Sequence, residues 1–471
     1  MKLTFYGGAG GNVIPSRIRL DSFLLDYGDA IPKKGVPIPE TDFSLLEPEK
    51  IEVLLASHGH TDHVGGLPAL VKAGFNGKIE STRGTKEVTE ALLRDNYPRA
   101  LVDGVFERYQ TPRNLLERFE IAEGVYATFY SAQGHILEAS SILLEFEKEN
   151  LRVLFSGDLG NTNKQMLDSS GEVPQADIVI LESTYGYREL HPDFNLSLAE
   201  LYEGIIETYL KGGDFFIPVL SINKLQEVLF HLNSALENGL IPDDLNIVVD
   251  STLGEAITEI YGNETHRGLY SDGARQFFRN HSRVHPFNYT TEIKAGGKNI
   301  ILASSGLDGL RGRFRKHFRD LGNENNSVAI VSHTLEGSPL RAIASGEKII
   351  GTSGIHVPLK AKSFTLSGFS SHPDRTQLIR WLERTGAKFV FLDHGEDDSR
   401  TLLKEAIIQR GICPEEKIFT PALLEKFDLT NLPKARGIGV VPESLNGEQA
   451  KGRQKVTLLG HEVTLDMDKI K

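Results

Sequence analysis

Four side chains that can bind a metal ion lie within the seven-residue segment Ser57-His58-Gly59-His60-Thr61-Asp62-His63. The apolar stretch Ile51–Ala56 precedes this segment and predicts a strand, so the four side chains would follow the end of that strand. The first two histidines can present imidazole nitrogens to one ion, while the aspartate and the last histidine face a second. Nitrogen and carboxylate ligands without sulfur suit Zn²⁺ or another divalent ion. The alternative is that the three histidines lie on an exposed loop and share no role. That alternative explains poorly why four potential ligands lie so close together.

Further residues of the same types lie just beyond the ends of other predicted strands, namely His135, Asp158 and His394. A single histidine after a strand is more often a structural residue than a ligand. As a set, however, these three supply the ligands that a two-metal site still lacks after the first cluster.

The order of these motifs resembles the metallo-β-lactamase fold superfamily: HGHTDH, then GH at His135, GD at Asp158 and DHGE at His394. Glu182 in LESTYG resembles motif A of the β-CASP branch, His372 in LSGFSSHPD resembles motif B, and DHGE resembles motif C. Supporting matches lie at 248–261, 303–309 and 333–341. The resemblance spans roughly residues 1–420, and it is nearer to the endonuclease subunit of the cleavage and polyadenylation specificity factor and its prokaryotic relatives than to ribonuclease J.

This resemblance implies an α/β fold, in which a metallo-β-lactamase αββα sandwich carries an inserted β-CASP α/β domain of mainly parallel sheet. It also implies a centre with two Zn²⁺ ions, although another divalent ion would suit the same ligands. The implied ligands are His58, His60 and His135 for the first ion, Asp62, His63 and His394 for the second, and Asp158 for both.

The resemblance gives His372 the role of contacting the scissile phosphate and protonating the leaving oxygen. Glu182 would accept a hydrogen bond from the other ring nitrogen and hold the tautomer. The implied catalytic residues are therefore Asp62, Asp158, Glu182 and His372. The alternatives are that Glu182 is a helix cap or surface acid, and that His372 only begins a helix.

The implied activity is that of a di-zinc ribonuclease that hydrolyses phosphodiester bonds of single-stranded RNA. Endonucleolytic cleavage is expected, and 5′ exonuclease activity is left open. One alternative is a metallohydrolase of the same fold that acts on DNA, a small phosphodiester or an ester. Another is a non-catalytic RNA-processing scaffold, which predicts missing ligands, whereas all seven are present. A homodimer and RNA-processing partner proteins are compatible with the sequence.

Candidate substrate contacts fall into two groups. Ser304, Ser305 and Ser367 follow apolar strands, where backbone N–H groups can approach phosphate closely. Arg311, Arg313 and Arg315 belong to a dense basic run at 311–319, whose two phenylalanines form an apolar stripe at helical spacing. Ordinary turns explain the serines equally well. A solvated helix face explains the basic run as well as an RNA-tracking wall does.

Three segments depart from the family pattern. The family often has an aromatic residue and Gln where this chain has Ser332-His333-Thr334. It often has a Gly-Arg pair near Ile222-Asn223-Lys224. The segment Gly11–Arg19 differs from the usual small-residue pattern before the second strand. None of these departures is at an implied metal ligand, so we expect them to bear on substrate geometry.

The pattern of strands and helices predicts a domain inserted into another. Strands and helices alternate from about Asn195 to Ala361, which predicts a parallel sheet. The motifs after that point belong to the same implied site as the motifs of the first segment. The predicted division is residues 1–195 and 363–430 for the metallo-β-lactamase domain, 196–362 for the β-CASP domain, and 431–471 for a small β addition or mobile tail.

Composition sets limits on the partners and on the compartment. The single cysteine of the 471 residues excludes a disulfide framework and a multi-thiolate metal site. No signal peptide and no stretch of about 20 apolar residues is apparent, so we expect a cytoplasmic enzyme without a membrane partner. A net charge of −12 argues against broad adhesion to nucleic acid, so any RNA path would be local.

Overall fold

Two mixed sheets and one parallel sheet form the framework of the protein in the computed structural model. The structure describes residues 1–10, 15–29, 42–280, 287–310, 312–352, 355–432, 453–458 and 461–466. Arg311, one of the predicted substrate contacts, lies outside the described residues.

The first sheet has six strands, and its second half is parallel. In spatial order the strands are Lys426–Asp428, Lys2–Phe5, Ile18–Leu20, Phe23–Leu25, Val53–Leu55 and Lys78–Glu80. The second sheet has seven strands, of which the first four are parallel. They are Ile418–Phe419, Phe389–Asp393, Ile178–Glu182, Leu151–Phe155, Ser140–Phe146, Val125–Ser131 and Arg118–Ala122.

Alternation along the strands determines how these two sheets pack. Phe23, Leu25, Val53 and Leu55 form one buried cluster with residues of the second sheet such as Phe129. The intervening leucines of the first sheet are buried together with helical residues instead. Because successive side chains of a strand point to opposite faces, each sheet has one face toward the other sheet and one toward helices. This arrangement is the predicted αββα sandwich, and the predicted fold is confirmed.

The helices of these layers follow the strands that they cover. Asp374 begins the helix Arg375–Thr385, because its carboxylate accepts a hydrogen bond from the Gln377 N–H at 2.9 Å. The α-helices of this part are Phe43–Leu46, Thr61–Val64, Leu67–Lys72, Arg83–Asn96, Arg99–Phe106, Arg375–Thr385 and Asp397–Gln409. Short 3₁₀ helices lie at Pro48–Lys50, Ser367–Phe369 and Glu415–Lys417.

The third sheet is entirely parallel and has five strands. In spatial order they are Asn246–Asp250, Asn299–Ser304, Phe215–Val219, Ser327–Ile330 and Lys362–Thr365. The α-helices of this region are Phe194–Leu210, Lys224–Glu237, Thr252–Gly262, Asp272–Asn280 and Pro339–Ala344. The 3₁₀ helices are Glu264–Leu269, Phe314–His317 and Asp320–Gly322. The predicted parallel sheet is confirmed.

Two details differ from the sequence-based expectations. The strand Lys362–Thr365 pairs with Ser327–Ile330 and thus extends the third sheet, although the predicted division places nearly all of it in the first domain. In the basic run, Phe314 and Phe318 are buried in an apolar cluster with residues of the third sheet, and the only helical part of the run that the structure describes is the 3₁₀ helix Phe314–His317. Two small antiparallel hairpins complete the described elements, Ile349–Thr352 with Ile355–Pro358 and Arg453–Leu458 with His461–Asp466.

Candidate metal centre

The candidate ligands gather because they follow parallel strands of the two packed sheets. His58 lies beyond the strand Val53–Leu55, Asp158 beyond Leu151–Phe155, and His394 directly after Phe389–Asp393. The carboxyl ends of parallel strands meet at one edge of a sheet, so these side chains converge at that edge. The structure therefore brings together all seven residues that were predicted as ligands from the sequence.

The first group contains His58, His60, His135 and Asp158, whose ligand atoms all lie within 4.8 Å of one another. Nδ1 of His60 is 3.1 Å from Nε2 of His58 and 3.2 Å from Nε2 of His135. Burial lowers the pKa of His60 to about 4 and holds the pKa values of His58 and His135 well below the usual range. Three neutral imidazoles facing a carboxylate offer lone pairs to a cation.

The second group contains Asp62, His63 and His394. Nε2 of His394 lies 3.4 Å from Oδ2 of Asp62, and Nε2 of His63 lies 3.2 Å from Oδ2 of Asp158. The same Asp158 oxygen is 3.6 Å from His58 and from His135. Asp158 therefore lies between the two groups, where it can contact a cation in either.

Several buried polar atoms of these groups lack hydrogen-bond partners among the described residues. They are Nε2 of His63, Nδ1 of His135, Nε2 of His394 and Oδ1 of Asp158. A buried polar atom without a partner costs free energy, which a bound cation would remove. Six imidazole and carboxylate side chains besides Asp158 also match the nitrogen and oxygen ligands that zinc prefers. The residues present therefore fit zinc.

His372 and Glu182 form a pair at the rim of the centre. Nδ1 of His372 lies 3.2 and 3.3 Å from the two carboxylate oxygens of Glu182, while its Nε2 faces Asp158 at 3.9 Å. Burial opposes the charged imidazole, but Glu182 and Asp158 outweigh it and raise the pKa of His372. The N–H groups of Leu159 and Thr184 donate to Glu182 and fix its carboxylate. His372 is 21% exposed, so this side of the centre is open to solvent.

A layer of supporting residues was missed in the sequence analysis. Asp26 is buried, and its carboxylate lies 2.7 Å from Nδ1 of His63 and accepts hydrogen bonds from the backbone and hydroxyl of Ser57. The Thr184 hydroxyl lies 3.1 Å from Nδ1 of His394. Nε2 of His191 lies 3.0 Å from the carbonyl oxygen of His372. Asp26 follows the strand Phe23–Leu25 as Asp158 follows Leu151–Phe155, and an acidic residue at the end of an apolar run was a signal that the sequence analysis did not use.

Two of the candidate substrate residues, Ser304 and Arg313, are in contact with each other. The Ser304 hydroxyl accepts from the Arg313 N–H at 3.2 Å, and the Ser305 hydroxyl donates to the Gly306 carbonyl at 2.8 Å. The guanidinium of Arg313 pairs with Asp250 at 2.9 Å. Arg315 and Ser367 are exposed. Their part in binding substrate stays a prediction, and Arg313 is already held by a carboxylate.

Across the described ranges, no helix is both long enough and apolar enough to span a membrane.

Three family models match successive parts of the chain. The metallo-beta-lactamase superfamily model matches residues 39–203, the Beta-Casp domain model matches residues 225–343, and the model of the Zn-dependent metallo-hydrolase RNA specificity domain matches residues 356–421. The last segment contains both His372 and His394.

Three named relatives are similar over most of this chain. Ribonuclease TTHA0252 of Thermus thermophilus is 28% identical over 383 residues, which cover 78% of this chain and 86% of the relative. Transcription termination factor FttA of Methanocaldococcus jannaschii is 25% identical, covering 84% of this chain and 67% of FttA. Endoribonuclease YSH1 of Eremothecium gossypii is 28% identical, covering 90% of this chain and 60% of YSH1.

A crystal structure of a protein of unknown function from Enterococcus faecalis V583 shares the fold. Its TM-score is 0.52 at 12% identity, and the match covers 90% of this chain and 99% of that one. Together with the buried histidine and aspartate centre, the family matches give one conclusion. The chain belongs to the metallo-β-lactamase superfamily and is a Zn-dependent metallo-hydrolase with a Beta-Casp domain and an RNA specificity domain.

Proposed function

We propose that this protein is a di-zinc ribonuclease that hydrolyses phosphodiester bonds of single-stranded RNA, endonucleolytically and with 5′ exonuclease activity as a second mode. The observation that carries the proposal is the joint placement of seven metal-binding side chains and the His372–Glu182 pair around Asp158. The match to an RNA specificity domain and the ribonucleases among the relatives support RNA as the substrate.

Two ions would be held by the two groups of ligands that meet at Asp158. His58, His60 and His135 would hold one zinc, and Asp62, His63 and His394 the other, with Asp158 shared. When bound, two such ions activate a water molecule and neutralise the charge of a phosphodiester. The buried aspartates and histidines fix where the phosphate lies relative to His372.

His372 would protonate the leaving oxygen. Its Nδ1–H donates to Glu182, which leaves Nε2 directed at the side of Asp158 where the phosphodiester would lie. Glu182 also raises the pKa of His372, and a histidine that holds a proton near neutral pH is suited to act as a general acid. Glu182 is itself fixed by two backbone N–H groups, so it positions the ring without entering the reaction.

We assign residues 1–195 and 363–430 to the catalytic domain, 196–362 to the inserted domain, and 431–471 to an extension. The strand Lys362–Thr365 is the one element that favours a later boundary, because it pairs within the third sheet. A cytoplasmic location, a homodimer and RNA-processing partner proteins stay predictions from the sequence.

The test compares the wild-type protein with three variants on labelled single-stranded RNA, DNA of the same sequence and bis(p-nitrophenyl) phosphate. Asp62→Ala combined with His63→Ala should lose both zinc and cleavage. His372→Ala should keep its zinc while cleavage falls by ~10²–10⁴, the usual scale for loss of a general acid. His356→Ala, at an exposed position of a distant hairpin, is the control that should behave as wild type.

Each alternative function has its own outcome. If the protein cleaves DNA or the small phosphodiester but not RNA, the proposed substrate is wrong. If it binds zinc but hydrolyses none of the three substrates, it is a scaffold. Cleavage of a circular RNA would establish the endonucleolytic mode, because such a substrate has no 5′ end. Zinc loss in His372→Ala would show that His372 is a ligand.

A further inference from the structure

The segment Glu182–Arg188 runs from behind the metal centre to the protein surface. Glu182 contacts His372, and the Thr184 hydroxyl lies 3.1 Å from His394. The ring of Tyr185 follows, with its centroid 6.2 Å from that of His372. Tyr187 and Arg188 come next, so the segment connects the rim of the centre with solvent in seven residues.

The outer end of this segment is an exposed aromatic ring beside a half-buried cation. Tyr187 is 43% exposed, and its ring lies 5.7 Å from that of Tyr185. The guanidinium carbon of Arg188 lies 5.7 Å from the Tyr187 ring and 5.6 Å from the Tyr185 ring. No carboxylate forms an ion pair with Arg188 within the described part of the chain.

A second tyrosine–arginine pair, Tyr126 and Arg118, differs because its guanidinium is already paired with carboxylates. Arg118 lies 3.5 Å from the ring centroid of Tyr126, on the outer strands of the second sheet. Its guanidinium is paired with Glu145 at 2.8 Å and with Glu147 at 3.4 Å. That cation is neutralised, whereas the charge of Arg188 is free to meet an anion.

An exposed aromatic ring beside an unpaired arginine matches the chemistry of unpaired RNA. Bases stack on aromatic side chains with little regard to sequence, and a guanidinium binds phosphate. A duplex keeps its bases stacked on each other, so only a single strand can use such a ring. Tyr185 connects the pair to the rim of the centre, since its ring centroid lies 6.2 Å from that of His372 and 5.7 Å from that of Tyr187. A strand whose phosphate is bound beside His372 can therefore reach the pair.

We propose that Tyr187 and Arg188 bind the nucleotide that flanks the scissile phosphate, with the base stacked on Tyr187 and the next phosphate paired with Arg188. This inference rests on the proposed function. It adds a binding site that holds the strand in place at the rim where His372 acts, and it makes that site tolerant of base sequence.

The test measures KM and kcat for a single-stranded RNA with one defined cleavage site. Tyr187→Ala should raise KM by about 5- to 100-fold with little change in kcat, because stacking holds substrate and transition state alike. Tyr187→Phe should keep most of the affinity, and Tyr126→Ala is the matched control that should leave KM unchanged. Arg188→Gln should reduce the slope of log KM against log salt by about 0.7, the value for one phosphate on a single strand.

An abasic nucleotide placed at successive positions identifies the stacked base. At the position flanking the cleavage site, it should raise KM for the wild type and abolish the difference between wild type and Tyr187→Ala. A KM for Tyr187→Ala equal to that of wild type would overturn the inference and indicate a protein contact instead. A wild-type enzyme that does not cleave RNA would refute the proposed function, which is a separate outcome.

Discussion

Glu227 lies buried between two lysines, and replacing it with glutamine should lower the free energy of unfolding by about 3–5 kcal/mol. Its carboxylate pairs with Lys164 at 2.5 Å and with Lys224 at 2.8 Å, and all three side chains are less than 10% exposed. Lys164 comes from the loop after Asp158, whereas Glu227 and Lys224 belong to the helix Lys224–Glu237 next to the third sheet. The cluster therefore joins two parts of the chain that are predicted to be separate domains.

The expected loss follows from the charges that remain. Glu227→Gln keeps the shape of the side chain but leaves two buried ammonium groups without an anion. Removing one partner of a buried ion pair costs about 3–5 kcal/mol. Lys164 can escape by releasing its proton, which from the ordinary pKa of 10.5 that applies in the unfolded chain costs about 5 kcal/mol at pH 7, at about 1.36 kcal/mol per tenfold step. We expect the free energy of unfolding to fall by about 3–5 kcal/mol.

Glu207 provides a matched control, since it also bridges two lysines, but at the surface. It pairs with Lys211 at 2.8 Å and with Lys362 at 2.6 Å, and the three side chains are 40–50% exposed. Solvent screens such pairs, so Glu207→Gln should change the free energy of unfolding by no more than about 0.5 kcal/mol. The two substitutions are chemically identical, and only burial differs.

Urea unfolding followed by far-UV circular dichroism and by the fluorescence of the single tryptophan, Trp381, measures both variants. Burial lowers the pKa of Lys164 to about 7, although Glu227 opposes the shift. The unfolded chain thus binds more protons between about pH 7 and 10, so stability rises with pH in this window. Loss of Glu227 can only lower this pKa further, so both proteins gain stability alike in this window and the deficit of Glu227→Gln should change little between about pH 7 and 10. Equal stability of the two variants at pH 7 would refute the reasoning.

Two further substitutions test the support of the centre. Asp26→Ala removes the carboxylate that holds Nδ1 of His63 and should weaken zinc binding by about 10- to 100-fold, measured by competition with a chelator. Gly8→Ala places a Cβ 2.5 Å from a buried carboxylate oxygen of Asp393 at a φ of +68°, whereas Gly124→Ala has a φ of +69° and open space. Gly124→Ala should cost about 1 kcal/mol in a thermal melt and Gly8→Ala clearly more, and similar melting temperatures would contradict the contact.

Local patterns explain why the fold and the ligands were predictable. The strands Phe215–Val219 and Asn246–Asp250 are apolar runs with clear ends, and the ligands follow strand ends in motifs of fixed order. The contacts of Glu227 and Arg313 were not predictable, because they join residues 63 positions apart in both cases. A basic run looks the same in sequence whether it faces solvent or, as Arg313 does, a carboxylate on a neighbouring strand.

The departure from the family pattern at Ile222-Asn223-Lys224 also takes its meaning from contacts with residues distant in sequence. Asn223 has a φ of +65°, and the Lys224 N–H donates to the Ile222 carbonyl at 2.8 Å, which together form a γ-turn. Glycine adopts this backbone with least strain, and asparagine is among the residues that tolerate positive φ best. The Asn223 amide also donates to the His135 carbonyl at 2.9 Å, which a glycine could not do. Lys224 supplies the cation that meets Glu227. This departure therefore acts on the loop of a candidate ligand and on a buried ion pair, and its expected effect on substrate geometry stays a prediction.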